Sequence, residues 1–130
     1  MESKVLPLIQ PAREQPLPQA LSEAVVFHSP VRDYHGRADV VHILATIGDV
    51  LDKIEFQREL VGECHVVTIV SASHQDREMT GVLDETYDAV GRLEHATLLL
   101  RPLSALLDAI TAMRAALEQS PLPSSHGRLT

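Results

Sequence analysis

Tryptophan is absent from this 130-residue chain, and phenylalanine and tyrosine occur twice each, so aromatics make up only 3% of it. Basic residues are also scarce: eleven Lys and Arg stand against eighteen Asp and Glu, a formal charge of -7. A protein that tracks nucleic-acid phosphates needs a basic stripe, and one that reads single strands needs aromatic stacking platforms. Both shortages exclude nucleic acid as a partner. The lone cysteine, Cys64, rules out an intrachain disulfide and suits a reducing cytoplasm. No basic stretch followed by a long apolar run opens the chain. Val5 to Ile9 is too short for a signal core, and Pro7 interrupts it. No apolar run elsewhere approaches a membrane span. The expectation is a cytoplasmic protein without a membrane partner.

What is present is enough apolar material, 45% of residues, to build one core in a domain of ordinary size. Residues 1–18, broken by Pro7, Pro11, Pro16 and Pro18, read as an irregular arm, with a short helix at best near Gln19–Glu23. Ala24–Ser29 is rich in β-formers and ends at Pro30, so it reads as a strand. Val40, Val41, Leu44, Ile47 and Leu51 recur at helical spacing across Arg37–Leu51. Strands follow at Ile54–Val61, Cys64–Ser73, Glu78–Asp88 and Arg92–Arg101, with Gly91 placed for a left-handed turn. Pro102 suits the first turn of a closing helix, Leu103–Gln119. Its apolar stripe is Leu103, Leu106, Leu107, Ile110, Met113 and Leu117. Residues 120–130 read as a frayed tail, leaving 19–119 as a single α+β domain: a curved antiparallel sheet against helices.

Strand alternation then raises a question of cover. One face of Cys64–Ser73 carries Val66, Thr68, Val70 and Ala72, and the other carries Val67, Ile69 and Ser71. Arg92–Arg101 likewise sets Ala96, Leu98 and Leu100 against His95, Thr97 and Leu99. An antiparallel sheet with one wet side alternates apolar and polar residues, whereas both faces here are partly apolar. Helices can cover one side. The simplest cover for the other is a second copy of the chain, so a homodimer through the outer sheet face is expected.

Several stretches together resemble a known family. Val25-Val26-Phe27-His28-Ser29-Pro30-Val31, then Tyr34-His35-Gly36-Arg37 and a helix, is similar to the start of the nuclear transport factor 2-like superfamily, closest to its bacterial SnoaL-like branch. Tyr87-Asp88-Ala89-Val90-Gly91-Arg92-Leu93 resembles that family's turn between its last two strands. Arg101-Pro102-Leu103 and the helix after it resemble one uncharacterised group in the branch. The similarity spans residues 20–118 and rests on order and spacing. It implies a cone-shaped α+β fold, cystatin-like in outline, here with an extra C-terminal helix. It also implies dimers and an apolar cavity between sheet and helices. Members include ketosteroid isomerases, limonene-epoxide hydrolases, polyketide cyclases and dehydratases, so fold alone does not decide function.

The isomerase roles implied by the resemblance are unfilled. The base would stand just before the Pro of the first-strand motif, at Ser29, and the oxyanion acid would stand at Leu83. The third group is a tyrosine from an N-terminal helix, and this arm contains none. For an epoxide hydrolase relay, Asp84, Arg101 and Glu85 are present. Asp84 and Arg101 are expected on the outer face, away from a cavity.

The cavity face mapped by alternation takes Phe27 and Ser29 from the first strand, and Val66, Thr68 and Val70 from the strand Cys64–Ser73. Gly81, Leu83 and Glu85 follow, then Ala96, Leu98 and Leu100. That wall fits a small lipophilic molecule. Glu85 is the candidate acid or base if it faces the cavity, with a strand-end position in solvent as the plainer alternative. Tyr34 could donate to a ligand at the mouth. His28 is a candidate but points away from its neighbour Ser29, which disfavours a nucleophile pair. The histidines show no zinc-type spacing, and no phosphate loop or dinucleotide fingerprint is present, so neither a metal nor a cofactor is expected. The reading is a protein that binds a small apolar or amphipathic molecule. The alternatives are an enzyme on the same scaffold and a protein-interaction module with a filled core.

Overall fold

The computed structural model describes residues 2–10 and 18–128. In chain order it contains helix α1 (Val5–Ile9), strand β1 (Leu21–His28), strand β2 (Asp33–His35), helix α2 (Arg37–Val50) and strand β3 (Lys53–Gly62). Strands β4 (His65–His74), β5 (Arg77–Tyr87) and β6 (Leu93–Arg101) follow, then helix α3 (Leu103–Gln119). No helix among the described residues is long and apolar enough to cross a membrane.

All six strands form one sheet in the order β2-β1-β6-β5-β4-β3. From β3 to β6 it is an antiparallel meander, as the alternation and turns suggest. The turn between β5 and β6 uses Gly91 at φ +87, and the Asp88 carboxylate accepts from the Val90 and Arg92 amides. Asp88 is held below the ordinary carboxylate range by those bonds, the Arg92 amide first. One pair corrects the antiparallel expectation: β1 lies parallel to β6, with Phe27 opposite Ala96. The chain reaches β6 only after α2 and three reversing strands, which return it in the direction of β1. Register shifts in β3 between Phe56 and Arg58, and in the β5–β6 pair beside Tyr87, mark extra residues that bend the strands. The result is a curved, unclosed sheet.

Helices cover one face. On it Val66, Thr68, Val70, Leu83, Ala96 and Leu98 are buried, together with Phe27 of β1. The α2 residues Val40, Ile43, Leu44 and Ile47 close over them at helical spacing. The opposite face is only half-buried at Val67, Ile69 and Val82, and Leu99 is exposed.

Three element readings change. Residues 5–9 are a turn of helix rather than irregular arm. Pro7 is its third residue, where the missing N–H has no intrahelical acceptor in any case. The helix expected at Gln19–Glu23 is a 3-10 turn at Pro18–Ala20 running straight into β1, which already pairs with β6 at Leu21, opposite Leu93. The expected frayed tail forms a 3-10 helix at Pro123–Arg128, where Ser124 donates from its amide and hydroxyl to the Asp39 carboxylate of α2. Pro11 and Pro16 fall outside the described residues.

The packing face of α3 is also rotated from the leucine stripe. Ala105 and Ala109 are its buried residues, and Leu106, Met113 and Leu117 pack beside them. Leu103 and Leu107 are exposed instead. Small side chains let the helix approach the fold closely, and its larger ones then border a pocket.

Candidate functional site

Glu85 lies inside the fold with no exposure, and the group that meets it is the N-terminal arm. One carboxylate oxygen, Oε1, accepts from the Lys4 amide at 2.8 Å, the Val5 amide at 2.9 Å and the Tyr87 hydroxyl at 2.8 Å. The other, Oε2, accepts from the Ser3 hydroxyl, whose oxygen in turn accepts from the Leu6 amide at 3.0 Å. Burial pushes the Glu85 carboxyl above its usual value, and the four donors oppose that shift. Tyr87 is pushed far up by burial and by the neighbouring carboxylate, so it stays a donor. The expectation that Glu85 reaches solvent at a strand end is therefore corrected, and it does not line an open cavity either. Three of its four hydrogen bonds dock the N-terminal arm, and the fourth ties it to Tyr87. The signal for this was Ser3 ahead of Val5, Leu6, Leu8 and Ile9: a capping hydroxyl before dense apolar residues, all of them buried.

Ser29 is equally committed. Its hydroxyl donates to the Arg32 carbonyl at 2.8 Å and accepts from the Val31 and Arg32 amides, fixing the tight loop between β1 and β2. His28 points to the open face, where its Nδ1 contacts Asp33 at 2.7 Å and its ring stacks on His95. Asp84 contacts His65 on that same face, which agrees with its expected outward direction. Among the described residues no group of three or more His, Cys, Asp or Glu is placed to hold a metal ion. The side chains of Phe27, Val66, Thr68, Val70 and Leu83 are buried in the core. Thr68 is the odd one: its hydroxyl is enclosed without a hydrogen-bond partner.

An apolar pocket of about 250 Å³ does exist, displaced toward α3. Leu98 and Leu100 of β6 form its base, as alternation places them, and Ile43 and Ile47 of α2 form one wall. Leu106, Ala109, Ile110, Met113 and Leu117 of α3 form the facing wall. The β1–β2 loop from Ser29 to Arg32, with Tyr34 of β2, closes one end. Tyr34 is 6% exposed, and its hydroxyl bonds to no described residue. Burial raises its pKa, and the Arg32 guanidinium, 4.8 Å from the ring centre, partly offsets that. A larger cleft of about 700 Å³ runs between α1 and β3, but it is rimmed by Glu2, Asp52, Lys53 and Glu59 and has no comparable apolar enclosure.

No family model matches the sequence, and no curated protein is similar enough in sequence to count as a relative. Solved structures do match the fold. A steroid delta-isomerase from Pseudomonas aeruginosa aligns over 92% of this chain and 95% of its own, with 26% identity and a TM-score of 0.79. The fold is that of the nuclear transport factor 2-like and cystatin-like proteins. An uncharacterised cystatin-like protein from Silicibacter pomeroyi is similar over 79% of this chain and 74% of its own, with 20% identity and a TM-score of 0.76. A nuclear transport factor 2-like protein of unknown function from Mesorhizobium loti matches over 66% and 75%, with 17% identity and a TM-score of 0.60. The isomerase positions named from sequence hold a loop-bound hydroxyl, Ser29, and a buried apolar side chain, Leu83. Residues 2–10 contain no tyrosine. Alternation did not reach the pocket residues of α2, of α3 and of the loop from Pro30 to Arg32. Alternation reports one strand face, and α3 lies on another layer.

Proposed function

We propose that this protein binds a small apolar or amphipathic molecule in the pocket between α2, α3 and β6. The observation that carries the reading is an aliphatic enclosure of about 250 Å³ with Tyr34, a largely buried residue whose hydroxyl bonds to no described residue, on its wall. Ligand sites combine a mostly apolar lining with a few orienting polar groups. An enzymatic reading on the same scaffold has less support, since Glu85 spends its hydrogen bonds on the arm and Tyr87, and Ser29 on the loop. Titration with 1-octanol and with octanoate, followed by methyl NMR, is expected to shift Ile47, Leu98 and Met113. Ala109→Phe should fill the space and weaken both by about tenfold or more. Absence of shifts at these methyls with either probe would overturn the assignment. So would binding that survives Ala109→Phe in a variant whose spectrum shows an intact fold.

We also propose that a second copy covers the open face of the sheet. Ile69, Val82 and Leu99 lie side by side across β4, β5 and β6, and Leu99 is 58% exposed. A two-fold axis would place this row against itself, as isologous dimers do. Light scattering at micromolar concentration should report a dimer, and Leu99→Glu should give a monomer with the thermal midpoint of the fold little changed. A wild-type monomer under those conditions refutes the pairing. The cytoplasmic assignment rests on the single cysteine and is part of the same reading.

A further inference from the structure

We infer that the pocket is selective for an amphipathic anion, with Arg32 and Arg114 as the residues that set this preference. The inference rests on the pocket reading above and narrows it to a chemical class. In a chain of net charge -7, two arginines contribute to the wall of this apolar pocket. Neither guanidinium forms an ion pair or hydrogen bond with any described residue. Arg37 donates to the Leu21 carbonyl, Arg77 pairs with Asp108 and Arg92 pairs with Asp88, whereas Arg58 and Arg101, also unpaired among the described residues, do not line this pocket.

Arg32 comes from the β1–β2 loop and Arg114 from α3, so the two charges approach the pocket from different elements. Both are exposed residues that still contribute to the wall, which places them where the pocket meets solvent. Arg32 is held over the Tyr34 ring, and the nearest acid in sequence, Asp33, is taken up by His28. A carboxylate at this rim would stay partly hydrated while accepting from a guanidinium and from the Tyr34 hydroxyl. Its alkyl body would lie on Leu98, Ile47 and Met113. That arrangement avoids the cost of burying a charge and uses the charge-assisted bonds that arginine makes best. An amine at the same place would face two cations. The volume is below the usual range of about 300–1,000 Å³ for drug-sized ligands, which suits one short chain or a single small ring.

The test compares octanoate, 1-octanol and octylamine at neutral pH by titration calorimetry, with the methyl shifts reporting the site. Octanoate is expected to bind about tenfold or more tighter than 1-octanol, and octylamine weaker than both. In the Arg32→Gln/Arg114→Gln double variant that advantage should vanish, so that octanoate binds no tighter than 1-octanol. Both positions are solvent-exposed, so the variant keeps its core. Equal binding of octanoate and 1-octanol by the wild type overturns the anion preference but leaves the pocket reading standing. So does an octanoate advantage that persists in the double variant. Failure of all three probes to move the pocket methyls removes both.

Discussion

Glu85→Ala is expected to lower the stability of the fold by about 3–5 kcal/mol, because it strips one acceptor group from four donors at once. Against a total of about 5–15 kcal/mol for an ordinary domain, that is a large fraction. The Lys4 and Val5 amides and the Ser3 and Tyr87 hydroxyls would be left facing an apolar hole. α1 should detach, which limited proteolysis would read as rapid cleavage within residues 2–10. Glu85→Gln is expected to cost about 1 kcal/mol or less, because the amide oxygen can keep the two backbone donors while its NH₂ donates to the Ser3 oxygen. The amide thereby imitates the protonated acid. The pH dependence follows from the raised carboxyl. The folded state holds the Glu85 proton more tightly than the unfolded chain does, so its contribution is fully present below the unfolded value of 4.5 and is lost as pH rises through the folded value. Wild type should therefore gain stability relative to Glu85→Gln as pH falls from neutral toward 4.5, measured by denaturant unfolding. A Glu85→Ala protein as stable as wild type, with an intact arm, would show that α1 is held by its apolar contacts alone.

The limits of reading the sequence show at particular residues. Val40, Leu44 and Ile47 announced α2 because helical periodicity is local, and Gly91 announced its turn because only a residue without Cβ sits easily at positive φ. The meander strands were legible for the same reason, and so were Leu98 and Leu100 on the covered face. Arm docking was not. Ser3 and Glu85 are 82 residues apart, and no local pattern pairs them. Weighing Pro7 as a helix breaker also hid a helix too short to need the proline's N–H. The parallel β1–β6 pairing depends on how the whole chain returns, which neither strand encodes by itself. On α3 the large residues suggested the buried stripe, whereas closeness of approach selected Ala105 and Ala109. Tyr34 was legible as a candidate, but its partner at the pocket rim, Arg32, became visible only once the loop had folded the guanidinium over the ring.

Gly48→Ala tests the same arm from its other side. In the interior of a helix this change ordinarily stabilises by about 1 kcal/mol. Here a Cβ on Gly48 would lie 2.8 Å from the Ile9 carbonyl oxygen and 3.1 Å from its carbon, distances that backbone cannot relieve by turning a side chain. α1 would have to move off α2, yet Val5 and Ile9 are buried and the helix N-terminal end is tied to Glu85. The propensity gain is then outweighed by overpacking, and a net loss of about 1–3 kcal/mol is expected in thermal or denaturant unfolding. The sign depends on the arm being in place. In a Glu85→Ala background, where the arm has already detached, nothing stands against the new methyl and the same substitution should become neutral or stabilising. The two losses should thus fall short of additive by about 1 kcal/mol or more in a double-mutant cycle. Strict additivity would mean that Glu85 and Gly48 act on separate parts of the fold, and the picture of α1 clamped between a buried carboxylate and a bare stretch of helix would have to be abandoned.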